Sequence, residues 1–128
     1  MSRSHLIAKI IAPMVAGLIS TAAFAHPSLL SSAPTDKSQI TAPKTIELKF
    51  SETLVTQFSG ANLIMTGMPG MPGHGEMKIN ANVSGAGDGK TMTITPNSPL
   101  AAGNYRVDWR AVSSDTHPVT GQITFEVK

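Results

Sequence analysis

Tyr105-Arg106-Val107-Asp108-Trp109-Arg110 is the stretch whose reading decides the fold. Three large apolar side chains alternate with three charged ones, the period-two pattern of a strand with one dry face and one wet face. The same alternation runs from Thr45 to Phe50, with Ile46, Leu48 and Phe50 on the dry face. It returns from Gln122 to Val127, with Ile123, Phe125 and Val127. Weaker strand candidates are Ser28 to Ser32, Asn62 to Thr66, Met77 to Val83 and Thr91 to Thr95, all separated by Gly, Pro, Asn and Asp clusters. No helical period is sustained anywhere after residue 25, so the pattern predicts an all-β domain, a seven-stranded β-sandwich. Leu100 to Tyr105 has the form of a tyrosine corner, in which a Tyr at the start of a late strand ties its hydroxyl to backbone just upstream; this supports Greek-key topology.

The chain has 128 residues, enough for one compact domain and too few for two. Its first 25 residues read as a secretory signal peptide. Arg3 and Lys9 form a positive n-region, Ile10 to Ile19 is apolar apart from Pro13 and Gly17, and Ala23-Phe24-Ala25 is an A-x-A cleavage site. The apolar stretch is short for a membrane span. Cleavage after Ala25 leaves residues 26–128 as the mature domain, with His26 as its new N-terminus. The 10 basic residues of the chain then fall to 8, matching its 8 acidic ones. A formally neutral domain has no basic stripe to neutralise phosphates, which excludes nucleic acid as the expected partner. The absence of cysteine removes disulfides, thiolate zinc sites, iron–sulfur clusters, a cysteine nucleophile and blue copper. Any metal here must use other ligands.

One segment breaks the strand rhythm. Gly67 to Gly75 reads G-M-P-G-M-P-G-H-G, too rich in Gly and Pro for strand or helix, and is expected to form an exposed loop. Met68, Met71, His74 and Met77 recur every three residues through it, with Met65 three residues ahead. Methionine ordinarily fills core gaps, as is expected for Met92. Exposed thioethers gain little from burial and oxidise readily, so their clustering around an imidazole calls for another reason. Thioethers select soft ions, above all Cu(I). The alternative is a Met-rich contact surface.

A second constellation is Asp115-Thr116-His117, followed by Pro118. In extended chain, residues i and i+2 point to one side, so the carboxylate and the imidazole are expected to converge. By itself this spacing more often marks a local hydrogen bond than a ligand set. Ser113 and Ser114 complete a crowded Ser-His-Asp grouping, but no oxyanion loop accompanies it. His26 changes the weighing. A free α-amine and an imidazole on one residue form a chelate, and Pro27 has no amide N–H to add. With Asp115 and His117 the set becomes three nitrogens and one oxygen, a tetragonal N,O site suited to Cu(II). The alternative is a frayed N-terminus with an incidental histidine.

These residues resemble a known family. His26 to Pro34 reads H-P-x-L-x-S-S-x-P, Leu48 to Gly60 reads L-x-F-S-E-x-L-V-x-Q-F-S-G, and Tyr105 to Gly121 reads Y-x-V-x-W-R-x-V-S-x-D-x-H-P-x-x-G. With the Met loop between them, they are similar to the CopC/PcoC family of periplasmic copper-resistance proteins across essentially all of residues 26–128. The resemblance implies a cupredoxin-like β-barrel or sandwich with two separate copper sites. Its Cu(II) ligands would be His26, Asp115 and His117; its Cu(I) ligands would come from Met65, Met68, Met71, His74 and Met77.

The leading expectation is therefore a non-enzymatic periplasmic copper carrier that passes copper to an inner-membrane transporter or another periplasmic copper protein. Two rivals start from the same residues. An N-terminal histidine chelate with a second histidine resembles the copper centre of lytic polysaccharide monooxygenases. Against that reading, Asp115 would fill a position that oxygen activation needs open, and Tyr105 and Trp109 read as core, leaving no aromatic platform for a polysaccharide. A copper-independent β-sandwich interaction module accounts for the fold but leaves the Met loop idle.

Overall fold

A computed structural model of the chain describes residues 26–70 and 75–128. The signal-peptide reading of residues 1–25, and the loop residues Met71 and His74, lie outside the described residues. Among these residues there are nine strands: β1 (Leu29–Ala33), β2 (Ser38–Ile40), β3 (Ile46–Phe50), β4 (Gly60–Gly67), β5 (Met77–Ile79), β6 (Ala81–Gly85), β7 (Thr91–Pro96), β8 (Gly103–Val112) and β9 (Pro118–Val127). They form a four-stranded sheet in the order β1-β3-β7-β6 and a five-stranded sheet in the order β2-β9-β8-β4-β5. The all-β expectation holds, as a sandwich of two open sheets rather than a closed barrel.

The count of seven strands is corrected to nine for two reasons. The run from Met77 to Val83 is broken at Asn80: β5 pairs with β4 in the larger sheet, and β6 pairs with β7 in the smaller. A strand that turns a sandwich corner in this way changes partners without any change in its hydrophobic pattern. The other addition is β2, three residues long, which pairs in parallel with β9. Such a short segment carries too few alternations to be read from sequence.

The three alternating stretches supply the core. Ile46, Leu48 and Phe50 of β3 are fully buried, as is Val107 of β8, while Tyr105, Trp109, Ile123, Phe125 and Val127 are nearly so. Across the sandwich the Phe50 ring meets Trp109 edge-on with centroids 5.0 Å apart, and within the larger sheet Tyr105 stacks on Phe125 at 5.4 Å. Gly121 lies opposite Trp109 in the β8–β9 ladder, and a Cβ there would overlap the indole, so the ring packs where only glycine leaves room. The tyrosine corner is formed: Tyr105 Oη donates to the carbonyl of Ala101 at 2.6 Å.

β8 sets the long dimension of the site geometry. Gly67 at the end of β4 pairs with Asn104 near the start of β8, so the Met loop leaves the sandwich there. Val112, at the far end of β8, leads into the turn that carries Asp115 and His117. At the rise of an antiparallel strand, Asn104 and Val112 are roughly 27 Å apart.

Candidate metal centre

His26, Asp115 and His117 come together at one end of the sandwich. One ligand atom from each lies within 4.8 Å of the other two. His26 reaches the cluster from the N-terminal side because the chain just after it is tied down. Pro27 is fully buried, the Ser28 amide donates to Ser51 Oγ at 2.9 Å, and the Ser51 amide donates back to the Ser28 carbonyl at 2.9 Å. The chain is thus anchored from Pro27 onward, while the His26 side chain itself stays 63% exposed. Its ring and that of His117 lie 5.9 Å apart between centroids, tilted by 59°.

Asp115 and His117 converge by a different route from the one expected. The segment between β8 and β9 is a turn, closed by the Thr116 amide donating to the Ser113 carbonyl at 3.0 Å, and is not extended chain. Thr116 has a φ of 65°, in the left-handed region where a β-branched residue is rare. That conformation swings the His117 amide back to donate to Asp115 Oδ1 at 3.2 Å. Ser113 Oγ donates to the same oxygen at 3.1 Å.

The Asp115 side chain is only 5% exposed. Its Oδ2 faces His26 Nδ1 at 2.7 Å, an ion-pair contact, while its Oδ1 is held by the two hydrogen bonds. The carboxylate sits beside two imidazoles, and one carboxylate oxygen with two imidazole nitrogens is a donor set that fits a borderline divalent ion. Burial pushes the Asp115 carboxyl up. The hydrogen bonds from Ser113 and the His117 amide, with the nearby His26 and His117 rings, outweigh burial and hold it below the usual carboxylate value. The carboxylate is therefore ionised across the neutral range. Ser113, Asp115 and His117 do not form a Ser-His-Asp relay, since the Ser113 hydroxyl donates to the carboxylate and not to an imidazole.

The methionines occupy three kinds of surroundings. Met65 is buried in the core at 7% exposure, Met68 is half-buried against it, and Met77 is 47% exposed. Met65 and Met77 are directly opposed in the β4–β5 ladder, so both side chains lie on the same face of the sheet. Met77 extends that face at the edge strand. Met92 is a core residue at 3% exposure, as expected. The return arm of the loop is held to β8 by Arg106, whose Nη1 lies 2.6 Å from Glu76 Oε1 and whose Nε lies 2.8 Å from Asp108 Oδ1. Sequence reasoning missed this clamp and the Ser113 contact. A serine two residues before an aspartate in a turn was the available signal for the latter.

The chain is a small two-sheet β-sandwich with this cluster at one end and a methionine pair toward the other. The CopC domain family matches residues 29–128, and the chain belongs to the CopC family. It is 65% identical over 111 residues to copper resistance protein C of Pseudomonas syringae pv. tomato, covering 87% of each chain. With copper resistance protein C of Escherichia coli it shares 54% over 118 residues, covering 90% of this chain and 94% of the relative. The crystal structure of PcoC from E. coli, described as a methionine-rich copper resistance protein, superposes with a TM-score of 0.75 at 56% identity. That match covers 81% of this chain and all of PcoC. CopC from Methylosinus trichosporium superposes with a TM-score of 0.67 at 27% identity over 80% of this chain and 94% of its own. The relatives from P. syringae and E. coli are named as copper resistance proteins.

Proposed function

We propose that this chain is a copper-binding resistance protein that carries or sequesters copper in the periplasm. The observation that carries the reading is the convergence of His26, Asp115 and His117 within 4.8 Å around a buried carboxylate. Residues 1–25 are removed on export, and residues 26–128 are the copper-binding domain. Cleavage frees the His26 α-amine, and amine and imidazole together with Asp115 and His117 hold Cu(II). The Met loop holds Cu(I) through thioethers drawn from Met65, Met68, Met71 and Met77 together with His74. The family membership and the names of the relatives support copper as the cargo. The distance along β8 supports two separate sites. Copper passes to or from an inner-membrane transporter or another periplasmic copper protein.

Titrating the processed protein, beginning at His26, with Cu(II) and separately with Cu(I) tests the reading. One tight equivalent of each is expected. Tight binding of neither would identify an interaction module instead. Consumption of oxygen in the presence of reductant and a polysaccharide would favour the oxidative enzyme, a reading weakened by the position of Asp115 within ligand reach of both imidazoles.

A further inference from the structure

We propose that Ser113 is a positioning residue for the metal centre, making Asp115 a one-oxygen ligand by occupying its other oxygen. The proposal rests on the reading of His26, Asp115 and His117 as the Cu(II) ligands.

A carboxylate has two chemically equivalent oxygens, and a side chain free to rotate offers either or both to a metal. In this cluster the equivalence is broken. Oδ1 accepts from Ser113 Oγ at 3.1 Å and from the His117 amide at 3.2 Å. Oδ2 is turned the other way and faces His26 Nδ1 at 2.7 Å. Both donors converge on one oxygen, so rotation about the carboxylate bond would break two hydrogen bonds at once.

Ser113 is suited to the task by its place in the fold. It follows the last residue of β8, is only 3% exposed, and is the buried polar residue of the core among the described residues. Its carbonyl accepts the Thr116 amide, and that turn returns His117 to the cluster. One residue thus fixes the carboxylate through its side chain and the histidine through its backbone. Hydrogen bonds to a ligating carboxylate orient it, and losing such a partner typically weakens metal affinity about 10- to 100-fold.

Ser113→Ala in the processed protein tests the proposal, because it deletes the hydroxyl while leaving the backbone turn. Cu(II) affinity measured by chelator competition is expected to fall about tenfold. The Cu(II) electron paramagnetic resonance spectrum should change as the carboxylate binds differently, and Ag(I) binding should stay as it was. In the metal-free variant the His117 amide should shift and exchange faster, because the carboxylate has lost the second donor that kept Oδ1 in place. Ser113→Thr keeps a hydroxyl and should restore the spectrum. Unchanged Cu(II) affinity and spectrum in Ser113→Ala would overturn the proposal. His117→Ala is the control for the site itself: if it too leaves Cu(II) binding intact, the ligand set is wrong and the role of Ser113 falls with it. Loss of Cu(II) binding in His117→Ala with none in Ser113→Ala overturns the positioning role alone.

Discussion

Nδ1 of His26 lies 2.7 Å from Oδ2 of Asp115, joining the segment ahead of β1 to the turn after β8. The contact depends on two local devices at distant points of the chain. One is the Ser28–Ser51 pair that fixes the entry of β1, and the other is the left-handed turn residue Thr116. Neither segment makes a site without the other.

The first prediction concerns the N-terminus. A protein beginning at His26 presents an α-amine beside its imidazole, whereas one extended by a single Gly presents an amide in its place. The extended protein is expected to bind Cu(II) at least tenfold more weakly, with an altered visible spectrum. Competition titration of the two forms decides the matter, and equal affinities would show that the amine is not a ligand.

The Met loop should select by oxidation state, since thioethers stabilise Cu(I) and bind Cu(II) poorly. Cu(I) or Ag(I) should shift the methyl resonances of Met68 and Met77 and leave that of Met92, buried at 3% exposure, unmoved. Met68→Ala should weaken Ag(I) binding without changing Cu(II) binding. An equal response at Met92 would remove the loop as the Cu(I) site.

Acid should separate the two ions. Thioethers carry no proton to lose, while imidazoles (free value ~6.5) and α-amines (~7.7 to 8.0) must be deprotonated to bind Cu(II). Cu(II) affinity is expected to fall steeply below roughly pH 6, with Cu(I) affinity falling more gently. Asp115 is not the cause of that fall, because its carboxyl is held below the ordinary value. A carboxyl depressed by folding stabilises the metal-free protein above its unfolded pKa, and that contribution disappears as pH drops through the lower folded value. Asp115→Asn should therefore flatten the metal-free stability profile below about pH 4, which urea titrations at several pH values would show.

Gly121→Ala should be severely destabilising, since its Cβ would overlap the Trp109 ring inside a packed core. Overpacking of this kind costs about 1–3 kcal/mol. Chemical denaturation followed by Trp109 fluorescence measures it. A loss below ~0.5 kcal/mol would mean that the indole is free to move aside.

Thr116→Asn should raise the stability of the metal-free protein by roughly 0.5–1 kcal/mol, because Asn tolerates the left-handed region better than a β-branched residue. Thr116→Pro should disrupt the turn, since proline fixes φ near −65°. Thermal unfolding of both variants, with Cu(II) affinity in parallel, checks the pair.

The sequence by itself determined the strands that matter most. Alternation at Ile46, Leu48 and Phe50 and at Tyr105, Val107 and Trp109 is a local property of extended chain, so it is legible without partners. The tyrosine corner was legible for the same reason, its hydrogen bond spanning only four residues. Cysteine content, the Met spacing and the residue types of the His26, Asp115 and His117 set were likewise open to reading. Only the tertiary structure decided which sheet each half of Met77 to Val83 joins, because a corner at Asn80 changes hydrogen-bonding partners and leaves the apolar pattern intact. It also decided how Asp115 meets His117: the extended geometry expected from their spacing is replaced by a turn with Thr116 at positive φ, a backbone choice that this residue type disfavours. The place of Ser113 was hidden for a related reason. Its hydroxyl finds Asp115 only after that turn has closed, and its burial depends on strands far from it in the chain.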